Sequence, residues 1–166
     1  MLHLIGQPAF SAFRIEKLLR GLRAELPEVT GLRSEYHYFA EMDGDGRLAD
    51  AALDILKTLL VAKQSDTEVQ ADETLLLVTP RPGTISPWSS KATDIVHNSG
   101  LTEIQRVERG IAFFVQSAKP LTGTQQQLIA GQLHDRMIET VFDNVDDAEQ
   151  LFMHSAPRPL LSVDIL

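Results

Sequence analysis

Cysteine is absent from this 166-residue chain, which excludes disulfides, thiolate metal sites and a thiol nucleophile. Basic residues are scarce relative to acidic ones, 15 against 23, and the net charge of -8 argues against general nucleic-acid binding, which needs a basic face. No apolar run approaches the roughly 20 residues that cross a bilayer, and the N-terminus does not resemble a signal peptide. The expected location is therefore cytoplasmic, without membrane association.

Hydrophobic spacing predicts two similar runs of secondary structure. Strands are predicted at residues 2–5, 32–40, 74–78 and 101–117, and helices follow them from residues 11, 48, 88 and 124, the last extending to residue 140. The two runs share their element order at an offset of about 75 residues, which a duplicated module explains most simply. These proportions suit an antiparallel sheet with helices packed on one face. The predicted fold class is therefore α+β, with two ferredoxin-like or related halves.

Composition also suggests boundaries within the chain. Residues 64–72 are polar and acidic, as in a connector, so we predict one α+β half at 1–66 and a second at 67–142. The remaining residues, 143–166, are predicted to form an acidic helix in DNVDDAEQLF and then the start of a linker, because SAPRPLLSVDIL carries two prolines.

Two short motifs have only local interpretations. The DGDG at residues 43–46 resembles the start of a calcium-binding loop, but its fifth position is Arg47, its sixth is Leu48 and its twelfth is Asp54 instead of glutamate, so an ordinary loop is predicted. The Glu108-Arg109-Gly110 sequence fits either a hairpin turn or a bulge, and the sequence does not decide between them. We predict no metal site in the chain.

The segment TPRPGTISPWSSKATDI, residues 79–95, places a loop between a buried strand and a helix start. Two prolines end the strand, and Gly83 permits backbone angles that other residues avoid. Ser86 followed by Pro87 predicts a helix N-cap with proline at the first helical position. Free amides at a helix start attract anions, so the segment is a candidate site for a phosphate or carboxylate.

Seven side chains make up this candidate site. Arg81 and Lys91 would offer positive charge to a phosphate, and Asp94 would orient a neighbouring base or amide. The expected hydrogen-bond donors are the hydroxyl groups of Thr84, Ser86, Ser89 and Ser90. The alternative that these Ser and Pro residues form only an ordinary helix cap stays open. No catalytic residue is predicted.

Five segments of the chain resemble one protein family and occur in family order. The segment at residues 79–95 is similar to the signature segment near the N-terminus of large-type phosphoribosylformylglycinamidine synthase, a glutamine-dependent ligase of purine biosynthesis. The other four are SAFRIEKLL at 11–19, RVERG at 106–110, LHDRMIETVF at 133–142 and DDAEQLF at 146–152. In that family the N-terminal domain looks like a fused pair of the small PurS-type subunit, which implies two PurS-like halves here.

The resemblance implies a scaffolding domain of the enzyme, also called formylglycinamide ribonucleotide amidotransferase. The domain is expected to pack on the synthetase domain of the same parent chain, beside a glutaminase domain, with residues 81–94 facing the ribonucleotide substrate. The family reaction joins ammonia from glutamine to formylglycinamide ribonucleotide, and ATP with magnesium is implied for the parent enzyme. This chain has no nucleophilic cysteine and no Gly-rich phosphate loop, so we expect an inactive N-terminal fragment without a cofactor.

A function of another class remains as the alternative. Paired ferredoxin-like halves could form a stand-alone module that binds a small effector or dimerises. A reading frame that continues beyond Leu166 into Gly-rich synthetase segments would favour the synthase, whereas a stop codon there would favour the module.

Overall fold

A computed structural model describes residues 1–44 and 47–153 of the chain. Its strands are β1 (Leu2–Ile5), β2 (Val29–Met42), β3 (Glu73–Pro80), β4 (Ile104–Ser117) and β5 (Glu139–Phe142). Its α-helices are α1 (Ala12–Glu25), α2 (Asp50–Leu60), α3 (Pro87–Asn98) and α4 (Gly123–Leu133), and a 3₁₀ helix, η1, spans Asp146–Phe152. The order of strands and helices from β1 to α2 recurs from β3 to α4.

The strands form one antiparallel sheet in the order β1-β2-β4-β3-β5. The two long strands, β2 and β4, pair along their whole length at the centre, with Leu32 opposite Val115 and Tyr38 opposite Arg109. The predicted α+β class with an antiparallel sheet and ferredoxin-like halves is confirmed.

The four α-helices of the described residues pack on the same face of this sheet. Side chains alternate between faces along a strand, so the residues that β2 and β4 direct to this face recur at every second position. At one end, Leu22 of α1 and Ile129 of α4 pack on Phe113 of β4. At the other end, α2 and α3 pack around Tyr38 of β2 in a second cluster. The helices therefore form two pairs over one sheet face.

The opposite face of the sheet is apolar at its centre and is covered by η1. Phe39, Leu77 and Phe114 are fully buried there, in one cluster with Ala148 and Leu151 of η1. The acidic segment thus contributes core residues, and its helix is of the 3₁₀ type and confined to Asp146–Phe152. The predicted start of a linker in SAPRPLLSVDIL, residues 155–166, lies outside the described residues.

The structure corrects the prediction for the segment after α4. The helix ends at Leu133 instead of continuing to residue 140, and Glu139–Phe142 form β5 beside β3. His134 already has an extended backbone, with φ −138° and ψ 158°. The β-branched residues Thr140 and Val141 favour a strand, and β3 offers a free edge to pair with. Pairing with β3 therefore determines that residues 139–142 form a strand and not the end of a helix.

The structure also answers the question at Glu108–Gly110, which forms neither a hairpin turn nor a bulge. β4 runs straight through these residues, and its pairing with β2 is regular from Phe39–Glu108 to Tyr36–Ile111. A glycine is needed at position 110 because a Cβ there would lie 2.9 Å from the carbonyl oxygen of Val78. Close approach of the neighbouring strand explains this glycine.

No α-helix within residues 1–44 and 47–153 is long and apolar enough to cross a membrane. Of the predicted DGDG loop, Asp43 and Gly44 follow β2 in a bend and a turn, whereas Asp45 and Gly46 lie outside the described residues.

Candidate functional site

The predicted succession of strand, loop and helix at residues 79–95 is confirmed. β3 ends at Pro80, Gly83 has a φ of +81°, and α3 begins at Pro87. Ser86 is the N-cap, and its hydroxyl oxygen accepts a hydrogen bond of 3.0 Å from the backbone N–H of Ser89. The loop is therefore built as its sequence predicts.

A carboxylate of the chain itself lies at the start of α3. The Ser86 hydroxyl donates to Oε1 of Glu108 at 2.8 Å, and the Ser86 backbone N–H donates to Oε2 at 3.4 Å. Nη2 of Arg106 donates to the same Oε2 at 2.7 Å, and Glu108 is only 1% exposed. Glu108 therefore takes the position where the sequence predicted an external anion, with Arg106 balancing its charge.

Polar side chains of α3 also close the free edge of β4. β3 pairs with β4 only as far as Ile111, so the edge at residues 104–109 has no neighbouring strand among the described residues. The Ser89 hydroxyl donates to the Val107 carbonyl oxygen at 2.6 Å, and Thr93 accepts from the Val107 N–H at 3.1 Å. One turn further on, His97 donates from Nε2 to the Ile104 carbonyl oxygen at 2.6 Å. Ser89, Thr93 and His97 are four residues apart and therefore lie on one side of α3. Their hydrogen bonds hold that side of the helix along the free edge of β4, and we call this the α3–β4 edge contact.

The seven predicted site residues therefore separate into two groups. The hydroxyl protons of Thr84, Ser86 and Ser89 are donated within the chain, to the Arg81 carbonyl oxygen, to Glu108 and to the Val107 carbonyl oxygen. The other four predicted residues have exposed side chains: Arg81 in the loop, and Ser90, Lys91 and Asp94 on α3.

A cavity of about 530 Å³ opens beside this loop, on the face of the sheet that carries the α-helices. Its floor is β4 from Glu108 to Ile111, and one wall is the loop from Pro80 to Trp88. The facing wall comes from Met137, Ile138 and Glu139, the segment that was predicted to be helical. The corrected path of the chain after α4 therefore creates this cavity.

Arg109 lines the cavity and was not among the predicted site residues. Its Cζ atom lies 4.7 Å from the ring centroid of Tyr36 and 4.8 Å from that of Trp88, so two aromatic faces hold the guanidinium. Trp88 in turn stacks on Tyr38 at a centroid distance of 5.7 Å. Burial raises the pKa of Tyr38, and the charge of Arg109 opposes that rise. Within the described residues, no carboxylate lies within 4.0 Å of the Arg109 guanidinium.

Large apolar side chains surround the mouth of the cavity. Ile85 is 64% exposed, Met137 80% and Ile138 64%. We call these three residues the apolar rim. They come from two separate segments that meet only in the folded protein, and contiguous exposed apolar surface of this kind marks a contact site for another protein surface or a ligand.

A second polar cluster lies on the sheet face opposite the α-helices. His37 is fully buried and donates from Nε2 to a carboxylate oxygen of Glu35 at 2.9 Å, while its Nδ1 accepts from Nε2 of His3 at 2.8 Å. Burial and the neighbouring His37 lower the pKa of His3 to about 4, and burial lowers the pKa of His37 against the opposing effect of Glu35. Both imidazoles are therefore neutral at pH 7. His37 lies in β2, within the strand that the sequence predicts at residues 32–40.

Fold and surface together define an α+β domain with ferredoxin-like halves and an apolar-rimmed cavity beside a proline-rich loop. Residues 35–152 match the family model described as formylglycinamide ribonucleotide amidotransferase N-terminal. Because the match covers more than half of the chain, this protein belongs to that family, the N-terminal domain of an amidotransferase of purine biosynthesis. The resemblance inferred from the sequence segments is confirmed, and the matched residues include the loop, β4 and the apolar rim.

Proposed function

We propose that this domain is a scaffold within the glutamine- and ATP-dependent ligase that converts formylglycinamide ribonucleotide to formylglycinamidine ribonucleotide. It packs through the apolar rim on the synthetase domain of the same parent chain. The observation that carries this proposal is the exposure of Ile85, Met137 and Ile138 around a cavity of about 530 Å³ in a protein of net charge -8. Burial of this patch against a partner would remove apolar surface from water.

The chemistry of the parent reaction belongs, in this proposal, to other domains. A glutaminase nucleophile of the thiol type cannot come from a chain without cysteine. ATP and magnesium would serve the synthetase domain, and the isolated domain would have no amidotransferase activity. We place the enzyme in the cytoplasm, with neither nucleic acid nor membrane as a partner.

We also propose that the exposed members of the predicted site form one wall of the ribonucleotide site. Arg81 and Lys91 supply positive charge, while Ser90 and Asp94 offer polar groups one turn apart on α3. The residues already bonded within the chain hold this wall in place: Thr84, Ser86 and Ser89. The first four side chains are exposed and Arg81 lines the cavity, which supports the assignment.

Docking is tested by mixing this chain with the separately produced synthetase portion and measuring association by calorimetry. Ile138→Asp places a charge in the rim, so we expect association to weaken by roughly tenfold or more, since about 1.4 kcal/mol is lost with the apolar contact. Phe13→Asp is the matched control, because Phe13 is 75% exposed on α1 and outside the rim. Equal effects of the two substitutions would overturn the docking surface.

The same samples separate the scaffold from a stand-alone module. Sedimentation of the chain alone measures self-association. Dimerisation that Ile138→Asp abolishes, together with no affinity for the synthetase portion, would favour the dimerising module. Association with the synthetase portion by a monomeric chain would favour the scaffold.

The substrate wall has its own kinetic test in the complete enzyme. Arg81→Ala is expected to raise KM for the ribonucleotide or lower turnover, because it removes a cation from the site, while glutaminase activity stays unchanged. Unaltered KM and kcat would leave the loop with a structural role only.

A further inference from the structure

We propose that Arg109 is the anion-binding group of the cavity and takes the phosphate of a small phosphorylated ribose compound. This inference rests on the proposed function, because it names the phosphate-binding residue of the same site. It places the phosphate beside β4, whereas the sequence predicted an anion at the start of α3.

The α3 helix start is unsuited to a second anion. Glu108 already lies there, with Arg106 at 2.7 Å and the Ser86 hydroxyl at 2.8 Å. An added phosphate would have to displace this carboxylate from the hydroxyl and backbone N–H groups of Ser86. The favourable groups of the helix start are therefore already used within the protein.

Arg109 has the opposite character. Adjacent side chains leave a strand on opposite sides, so the Arg109 guanidinium extends away from the Glu108 carboxylate, which accepts a hydrogen bond of 3.1 Å from the Arg109 backbone N–H. The guanidinium is half-buried between Tyr36 and Trp88, and within the described residues its side chain has no carboxylate partner. A planar guanidinium held by aromatic faces loses little conformational freedom on binding and presents paired N–H groups to an oxyanion.

The remaining charges of the cavity favour an anion near Arg109. Arg81 lines the same cavity and adds a second positive charge. Two acidic residues also line it: Glu108 is paired with Arg106, whereas Glu139 accepts a backbone hydrogen bond of 2.9 Å from Asp135 and keeps its charge. Two arginines therefore face one carboxylate without a cationic partner among the described residues. The walls are otherwise mainly apolar, which suits a phosphate carried on a compact, uncharged body.

Trp88 provides a direct readout because it is the single tryptophan of the chain and contacts Arg109. The chain is titrated with ribose 5-phosphate, with ribose and with acetate, and binding is followed by tryptophan fluorescence and by calorimetry. We expect ribose 5-phosphate to bind saturably with a Kd on the order of millimolar, because a small ligand on an incomplete site makes few contacts. Ribose and acetate are expected to leave the fluorescence unchanged.

The substitutions decide whether Arg109 carries the binding. Arg109→Gln should weaken ribose 5-phosphate binding by roughly tenfold or more, and Arg109→Lys by less, because lysine keeps the charge but loses the paired N–H groups. Arg14→Gln is the matched control, since Arg14 on α1 also covers an aromatic ring: its Cζ atom lies 3.9 Å from the ring centroid of Phe10. Its affinity should stay within about twofold of the parent chain.

Each outcome has a defined meaning. The proposal is overturned if the parent chain shows no saturable binding of ribose 5-phosphate. It is also overturned if the folded Arg109→Lys and Arg109→Gln chains bind this ligand with the same affinity as the parent chain. Binding of acetate as tight as that of ribose 5-phosphate overturns the choice of a phosphate. If ribose 5-phosphate fails to bind while the chain still associates with the synthetase portion, only the Arg109 site fails and the scaffold remains.

Discussion

Replacing Glu108 by glutamine tests how the start of α3 is held. Glu108 is 1% exposed, and its carboxylate receives hydrogen bonds from Arg106 at 2.7 Å and from the Ser86 hydroxyl at 2.8 Å. Removal of one partner from a buried ion pair costs about 3–5 kcal/mol, because the other charge is left without compensation. Glutamine preserves the shape of the side chain while it removes the charge and replaces one acceptor oxygen by an NH₂ group.

The contacts of Arg106 place the expected cost at the lower end of that interval. The guanidinium also donates to the carbonyl oxygen of Thr84 at 2.8 Å, the hydroxyl of Ser89 at 3.1 Å and the carbonyl oxygen of Leu151 at 3.3 Å. These neutral acceptors remain in the variant. We therefore expect the free energy of unfolding to fall by about 3 kcal/mol, and Tm by about 6–12 °C for a chain of this size.

Glu73→Gln is the control with the same chemistry in a different environment. Arg33 donates to Glu73 from Nε at 2.7 Å and from Nη2 at 2.9 Å, but 44% of the Arg33 side chain is exposed, against 14% for Arg106. Water can solvate the Arg33 charge after the substitution. The expected loss is therefore about 1 kcal/mol or less.

Urea unfolding followed by circular dichroism measures both variants against the parent chain. An unchanged m-value with a lower midpoint for Glu108→Gln would agree with the reasoning. A loss below about 1 kcal/mol, or one no larger than that of Glu73→Gln, would refute the claim that the buried pair secures α3.

Three further outcomes are expected. Ser89→Ala should lower the free energy of unfolding by about 1–3 kcal/mol in urea titrations, because the Val107 carbonyl oxygen loses its donor; no loss would show that the edge contact is dispensable. Gly110→Ala should cost about 1–3 kcal/mol in thermal unfolding, since the new Cβ would lie 2.9 Å from a backbone oxygen, and an unchanged Tm would contradict this close packing. The pKa values of His3 and His37 are lowered on folding, so the unfolded chain binds more protons, and stability should be full above pH 6.5 and decline as pH falls toward 4. The slope of stability against pH should be shallower in His3→Gln, and an identical slope would argue against the assignment.

Local signals in the sequence predicted the elements around the loop correctly. Ser86 and Pro87 fix the start of α3 through chemistry that acts within one turn, and Gly83 adopts the left-handed backbone that its lack of a Cβ permits. The helical spacing of apolar residues placed all four α-helices on one side of the sheet, where period-2 apolar residues receive them.

The cavity and its lining residues depend on contacts between segments that are far apart in the sequence, and local patterns do not predict such contacts. β5 formed because β3 has an edge to offer, and its arrival brings Met137 and Ile138 to the cavity. Arg109 could have been found from the alternation of Glu108 and Arg109 on a continuous strand, but the sequence also fitted a turn or a bulge at those residues, and neither of these keeps that alternation. The sequence predicted that a ligand would bring a negative charge to the start of α3. That charge comes instead from Glu108, which is 22 positions from Ser86 in the sequence.

The strand order β1-β2-β4-β3-β5 has a consequence for how the chain folds during synthesis. β2 pairs with β1 on one side, but its other edge must wait for β4, which is complete only at Ser117. Until then, β2 and β3 both present an open edge of unpaired backbone N–H and C=O groups, because β4 is the strand that joins them. Pairing across such long sequence separations closes large loops and slows folding. The interval between synthesis of β2 and of β4 is therefore when the nascent chain is most exposed to aggregation.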